Sequence, residues 1–255
     1  MLTIAELTWP QLEDQNGWIA LLPVGAIEAH GPHLPLATDC WIAEAMVAAG
    51  ARSLHSQGHR CWVLPSHSYT AAGFAADFAG TINVSPSATE EVIFASAHAV
   101  KRGGATLLVV VNAHFDPANV AAIRRVVDRL GSQSEACESL FFDLTRRHNA
   151  ERIGGEFVTG ACHAGRYEGS LMMAIRPELV DQQTAASLPP YPESLAKAAT
   201  KGASSFQELG GDQAYFGWPA EASAEEGQRT LAMIGEMLAE EVLTAIAARH
   251  EEASP

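Results

Sequence analysis

The sequence predicts an α/β protein of three layers, in which a largely parallel central sheet lies between two layers of helices. Short apolar segments alternate along the chain with longer segments of helical periodicity, which is typical of β-α-β units. The apolar segments are continuous rather than alternating, as expected for strands that helices cover on both faces. The chain has 255 residues without an internal repeat or a dividing linker, so we expect a single domain over 1–255.

Each element is predicted from its local pattern. The predicted strands are 18–25, 61–66, 105–114 and 139–144. The predicted helices are 39–51, 86–102, 117–130 and 230–250. Ser85 followed by Pro86 is a typical helix start, and Gly131 is a typical helix end. Residues 181–217 are rich in Pro, Ser and Ala, which predicts loops and short elements, and the crossovers between strands should be right-handed.

Composition excludes several classes of function. The formal net charge of −14 disfavours a nucleic acid or an anionic membrane as partner. No segment approaches the roughly 20 apolar residues that span a bilayer, and the start of the chain lacks the pattern of a secretory signal. The cysteines are scattered, so we expect reduced thiols in a cytoplasmic protein. The cysteines are Cys40, Cys61, Cys137 and Cys162.

Residues of metal-binding type concentrate in 23-PVGAIEAHGPHLPLATD-39, directly after the first predicted strand. Open α/β sheets bind ligands at this end of their strands. Glu28, His30 and Asp39 offer the carboxylate and imidazole groups that bind Zn²⁺, Mn²⁺ or Fe²⁺. The prolines should keep the loop extended, so that Glu28 and His30 point to one side. Two alternatives stay open: Asp39 is only a helix N-cap, and His33 is a structural loop histidine.

A second candidate segment, 109-VVVNAHFDPANV-120, follows the third predicted strand. His114 and Asp116 repeat the spacing of Glu28 and His30, and parallel strands bring both segments to the same edge of the sheet. Together with Asp39, these residues predict a metal site, although a lone histidine after a strand is more often structural.

A third candidate segment, 161-ACHAGRYEGSLMM-173, contains His163 and Glu168. A histidine among small residues can approach a substrate closely and transfer protons near neutral pH. We therefore expect both residues to be catalytic, with the alternative that Glu168 only caps or orients the following helix.

These segments together resemble the creatininase (creatinine amidohydrolase) family over nearly the whole chain. PVGAIEAHGPHLPLATD resembles its hallmark loop, and HAGRYEGSLMMAIRPELV is similar to its HAG…E-S-LML…P segment. DFAGTINVSPSATEEV and FGWPAEASAEEG are weaker matches to two further family segments. The resemblance implies an α/β/α fold, amide C–N hydrolysis by a water between two divalent metal ions (Zn²⁺, Mn²⁺ or Fe²⁺), and often a hexamer.

The resemblance also implies the roles of individual residues. The first metal ion would take Glu28, Asp39 and His114, and the second would take His30, Asp39 and Asp116. His163 would be the proton-transfer residue, with Glu168 assisting. The family usually has Glu where this chain has Asp116, and we expect the loop at Pro117 to bring the shorter carboxylate close enough to bind.

The expected substrate is a small molecule, a cyclic amide or a formamide-like compound, contacted by Phe115, His33 and Cys162. Creatinine itself is not expected, because Thr159 and Gly160 stand where creatininases have a tryptophan and an acid. Two alternatives remain: a peptidase that acts on the end of a short peptide, and a non-catalytic metal-binding scaffold.

Overall fold

A four-stranded, fully parallel sheet lies at the centre of the computed structural model, which describes residues 3–13, 15–133 and 135–252. The strands are β1 (Trp18–Val24), β2 (Cys61–Val63), β3 (Ala105–Asn112) and β4 (Glu138–Phe142). Their order across the sheet is β2-β1-β3-β4, and the four predicted strands are confirmed. β2 ends before its predicted limit, because Pro65 has no N–H to donate to a neighbouring strand.

The predicted long helices are also confirmed, and several short ones add to them. The α-helices are α1 (Trp9–Glu13), α2 (Thr38–Ser56), α3 (Pro86–Arg102), α4 (Pro117–Leu130), α5 (Arg147–Ile153), α6 (Gly155–Thr159), α7 (Arg166–Ile175), α8 (Gln182–Ser187), α9 (Leu195–Thr200) and α10 (Ala224–Glu252). Ser85 caps α3 as predicted, since its side chain accepts the N–H of Ala88, and Gly131 follows the last residue of α4. Within the described residues, no helix is long and apolar enough to span a bilayer.

The helices form a layer on each face of the sheet, which confirms the three-layer architecture. Ile19, Leu21 and Val109 point to one face, where they pack with buried residues of α2, α7 and α10. Alternate strand residues, among them Ala20 and Leu108, point to the other face and pack with α3 and α4. Both faces are therefore apolar, which explains the unbroken apolar character of the strands.

The connections place a crevice at the carboxyl ends of β1 and β3. From β1 the chain passes through α2 to β2, and it then returns through α3 on the opposite face to β3, on the other side of β1. Adjacent strands whose connections leave in opposite directions open a crevice between them, where ligands bind in open α/β sheets. The last paired residues here are Val24 and Asn112, and both metal-type segments begin just beyond them.

Candidate metal centre

The loop after β1 reverses direction, whereas the sequence predicted an extended loop. Gly31 adopts a left-handed φ of 63°, and the N–H of Glu28 donates to the carbonyl of Leu36 at 3.0 Å. The reversal brings Glu28 and His30 beside the first turn of α2, which carries Asp39. Asp39 is not the N-cap, a position that Ala37 occupies.

Two histidines and three carboxylates meet in the crevice, and all five side chains are buried. His30 Nε2 lies 3.1 Å from Asp39 Oδ1 and 3.5 Å from Glu168 Oε2. His114 Nδ1 lies 3.0 Å from Asp39 Oδ2 and 3.2 Å from Glu28 Oε1. Asp39 therefore stands between the two histidines and turns one oxygen toward each.

Three overlapping sets of these side chains could each hold a metal ion, because their ligand atoms lie within 4.8 Å of one another. The sets are Glu28, Asp39 and His114; His30, Asp39 and Glu168; and Glu28, His30 and His163. Carboxylate oxygen and imidazole nitrogen together suit Zn²⁺, Mn²⁺ or Fe²⁺. The first two sets share Asp39, so the arrangement suits a pair of ions with a common carboxylate.

The second ring nitrogen of each histidine gives an independent test of the fit to a metal. In all three residues this nitrogen bonds a backbone carbonyl, which can only accept, so it carries the hydrogen. The pairs are His30 Nδ1 with Glu28 (3.1 Å), His114 Nε2 with Ala71 (2.8 Å) and His163 Nε2 with Ala29 (2.9 Å). In the neutral rings the other nitrogen then directs a lone pair at carboxylate oxygens, a repulsive arrangement unless a cation lies between them. Metal-binding histidines are commonly oriented by such carbonyl contacts.

The pKa shifts of His30 and His114 also indicate that the carboxylates stabilise positive charge in the cluster. Burial lowers the pKa of His30, but the negative charge of Asp39 and the nearby glutamates outweighs burial and raises that pKa to about 10. Burial also opposes protonation of His114, yet Glu28 and Asp39 hold its pKa well above the ordinary value. For Asp39, burial favours the neutral form, but the adjacent histidines lower its pKa further than burial raises it. The carboxylates therefore favour a positive charge at both rings.

Asp116, expected to bind the second ion, is turned to other partners. Its Oδ1 accepts the N–H of Ala118 at 2.8 Å, so Asp116 caps α4, and its Oδ2 accepts the N–H of Phe74 at 3.1 Å. It belongs to none of the candidate metal sets among the described residues. Pro117 is the first residue of α4, and Asp116 serves as its cap. The role of Asp116 as a metal ligand therefore stays a prediction from the sequence.

Glu168 is grouped with His30 and Asp39, the two residues beside which the sequence predicted Asp116. It lies in the first turn of α7, and its Oε2 accepts the N–H of Ala164 at 2.6 Å while it faces His30. Glu168 therefore both binds the backbone at the start of α7 and contacts His30 in the cluster. This position depends on the packing of α7 against α2, which the sequence pattern does not specify.

His163 is buried at the edge of the cluster and is held between two rings. The His30 ring centroid lies 4.4 Å away on one side, and the Phe206 centroid lies 4.5 Å away on the other. Its free nitrogen, Nδ1, is 3.8 Å from Glu28 Oε1. Burial and the nearby His30 hold the pKa of His163 well below its ordinary value, so the apo protein keeps this ring neutral. Phe206 lies in the region predicted as irregular, and no sequence signal identified it.

A cavity of about 590 Å³ opens beside the cluster. Glu28, Asp39, His114, His163 and Glu168 line its floor. Its walls are largely aromatic and apolar. The wall residues include Phe74, Phe115, Phe157, Leu195 and Phe206. The volume falls within the range of about 300–1,000 Å³ that is typical of ligand pockets.

Two of the three predicted substrate contacts line this cavity. Phe115 is half-buried and packs edge-on against Phe157, and Cys162 is half-buried beside His163. His33 is different: it is buried next to Tyr215 and is not among the described residues that line the cavity. The turn at Gly31 directs His33 away from the crevice, which agrees with the structural alternative for this residue.

The fold and the buried histidine–carboxylate cluster define an α/β protein with a candidate metal centre, and comparisons with known proteins identify its family. The family model described as "Creatininase: Creatinine amidohydrolase" matches residues 5–242. The chain therefore belongs to the creatininase family, as the sequence motifs indicated.

Individual relatives fall into two functional groups. The mycofactocin precursor peptide peptidase of Mycobacterium ulcerans (strain Agy99) is 32% identical over 236 residues, which cover 88% of this chain and 81% of that protein. The creatinine amidohydrolase of Pseudomonas putida is 25% identical over 210 residues, which cover 74% and 79% respectively. The solved structure described as "Creatininase Mn" aligns with a TM-score of 0.68 at 22% identity and covers 100% of this chain and 99% of that chain.

Proposed function

We propose that this protein is a hydrolase that cleaves an amide C–N bond with the help of two divalent metal ions. Glu28, Asp39 and His114 would hold the first ion, and His30, Asp39 and Glu168 would hold the second. The arrangement of three buried carboxylates around the ring nitrogens of two buried histidines carries this proposal. The manganese in the name of a related creatininase structure supports a transition metal.

Bound ions would supply a water of lowered pKa and positive charge near the carbonyl oxygen of the substrate. In hydrolysis the water oxygen bonds to the carbonyl carbon, the C–N bond breaks, and a proton lost by the water must reach the departing nitrogen. His163 would take this proton from the water and give it to the nitrogen; the position of its ring at the cavity and an Nδ1 without a backbone partner support this role. Phe206 and His30 keep the ring fixed between them, so that little motion is needed.

The role that we propose for Glu168 differs from the catalytic role predicted from the sequence. The sequence predicted a catalytic residue that assists His163, but Glu168 faces His30 and belongs to a candidate metal set with His30 and Asp39. Its carboxylate is buried, and a buried carboxylate is stable as an anion when it is paired or coordinates a metal ion. We therefore assign Glu168 to the second ion and leave proton transfer to His163.

The cavity favours a peptide over the small cyclic amide that the sequence suggested. A volume of about 590 Å³ with four phenylalanines in its walls suits apolar side chains and exceeds the needs of a single small polar ring. The Mycobacterium ulcerans relative is named as a peptide peptidase, which supports the same choice. A small cyclic amide remains the second candidate, since the Pseudomonas putida relative is named as a creatinine amidohydrolase. The cytoplasmic location and the homo-oligomer remain predictions from the sequence.

A substrate screen tests this proposal. Protein loaded with Mn²⁺ or Zn²⁺ is incubated with short peptides rich in apolar side chains, with lactams and with formamides, and products are measured by mass spectrometry. We expect cleavage of peptides, abolished by chelation. Turnover of lactams or formamides alone would favour the second candidate. A protein that binds metal and hydrolyses none of these substrates would support the scaffold alternative.

A further inference from the structure

Glu156 is a buried carboxylate outside the metal centre that binds three backbone N–H groups. Its Oε1 accepts from Arg166 at 2.8 Å and from Trp218 at 2.7 Å, and its Oε2 accepts from Tyr167 at 2.7 Å. Glu156 is not among the described residues that line the cavity, so it does not contact a substrate there. Its partners come from two segments that are distant in sequence.

Two glycines leave the space that this carboxylate occupies. A Cβ atom at Gly165 would lie 2.4 Å from Glu156 Oε1, and one at Gly217 would lie 2.1 Å from the same oxygen. Side chains essentially never approach so closely, so any other residue at either position would displace the carboxylate. Gly217 also has a left-handed φ of 99°, which glycine adopts without strain. The absence of side chains at Gly165 and Gly217 therefore allows the backbone to approach the Glu156 carboxylate closely.

On one side, Glu156 acts as the missing cap of α7. The N-cap residue, Gly165, has no side chain to satisfy the first N–H groups of the helix. Glu156 satisfies two of them, at Arg166 and Tyr167, and its charge is favourable at a helix N-terminus. Glu168 belongs to the same helical turn. Its Oε2 accepts the N–H of Ala164 and lies 3.5 Å from His30 Nε2, so Glu156 holds the turn from which Glu168 reaches His30.

On the other side, Glu156 anchors the segment that holds His163. The N–H of Phe216 donates to the carbonyl of His163 at 2.7 Å, and Trp218, two residues later, donates to Glu156. The backbone of His163 is thus bonded to the segment 216–218, and Glu156 binds both that segment and the start of α7.

We propose that Glu156 is a positioning residue, which holds Glu168 and His163 in the geometry required by the second metal ion and by proton transfer. This inference rests on the proposed two-metal function. Glu28 and His114 follow β1 and β3, and Asp39 lies in α2, so the first ion does not depend on the start of α7. Loss of Glu156 should therefore weaken one ion selectively.

The test is a Mn²⁺ titration of the purified full-length protein by calorimetry, with elemental analysis of the bound metal. In Glu156→Gln one acceptor oxygen becomes an NH₂ group that faces backbone N–H donors. We expect the second ion to bind about 10–100-fold more weakly, as is usual when a residue supporting a metal ligand is changed, and the first to change less than about twofold. Glu168→Gln serves as the reference for loss of the second ion. Glu226→Gln is the matched control, because Glu226 binds the side chain of Arg166 at 2.7 Å rather than the helix amides.

The outcomes separate this inference from the proposed function. Wild-type protein that binds fewer than two ions contradicts the two-metal centre itself. Two ions bound with wild-type affinity by Glu156→Gln overturn only the role of Glu156, and so does an equal weakening of both ions in a folded variant, which would indicate general destabilisation. If Glu156→Gln does not fold, Glu156→Asp decides by the same criterion, since it keeps the charge but withdraws the carboxylate by one bond.

Discussion

Replacing Asp116 by Ala separates a helix cap from a metal ligand. The change removes two hydrogen bonds, from Ala118 in α4 and from Phe74 in a preceding loop. Loss of an N-cap costs about 0.5–2 kcal/mol of unfolding free energy. The buried N–H of Phe74 would lose its partner, at a cost of about 1–3 kcal/mol. We expect the two costs to add to about 1.5–5 kcal/mol. At roughly 2–4 °C per kcal/mol for a chain of this size, Tm should fall by about 3–20 °C.

The assay is urea unfolding of metal-free protein and of protein with excess Mn²⁺, together with elemental analysis. Ser85→Ala is the matched control, because Ser85 also caps a helix that begins with proline, but its bond to Ala88 is exposed and longer, at 3.3 Å. This control should cost about 0.5–1 kcal/mol. The cost of Asp116→Ala should be the same with and without metal, and both ions should remain.

A different result would refute this interpretation of Asp116. If Asp116 were a ligand, its loss would remove binding free energy from the native state only. The destabilisation would then grow in the presence of metal, by about 2.7 kcal/mol when the free metal is 100-fold above Kd. A variant with one ion fewer and this metal-dependent excess would restore the ligand role predicted from the sequence.

Three further predictions concern the cluster itself. Asp39→Ala should lose both ions while remaining folded, as measured by elemental analysis, and a variant that retains one ion would show that Asp39 is not shared. His163→Ala should keep both ions and lose turnover by about 10²–10⁴-fold, whereas loss of an ion would identify His163 as a ligand. The raised pKa of His30, about 10 when folded, should stabilise the metal-free protein fully below pH 6.5. This contribution should disappear as pH rises through 10, and metal added at pH 8 should release protons, which an unbuffered titration measures; no release would contradict a protonated His30.

The strands and long helices could be predicted from local patterns in the sequence. Continuous apolar segments predicted the four strands, and Ser85 with Pro86 predicted the start of α3. The same reasoning identified Glu28, His30, Asp39 and the segment after β3, because residues that follow parallel strands reach one edge of the sheet whatever the rest of the chain does. Sequence therefore determined the sheet, the edge and most of the candidate ligands.

The remaining choices depend on contacts between distant segments. Asp116 and Glu168 are both carboxylates near a helix start, and sequence does not distinguish which of them faces His30. Packing of α7 against α2 brings Glu168 to the cluster, while Asp116 is held by Phe74. His33 shows the same limit, because a single turn at Gly31 decides whether it faces the crevice or the interior.

Phe206 and Glu156 lie furthest from what sequence could predict. Phe206 comes from a region without regular periodicity, and its stacking on His163 requires that region to fold across the cavity. Glu156 accepts from backbone N–H groups up to 62 residues away. Every residue except proline carries such an N–H, so the sequence does not indicate which of them Glu156 binds. Local hydrophobic pattern thus determined which elements form and at which edge the chemistry lies. Long-range packing decided which carboxylates face the candidate metal centre and which residues contact them there.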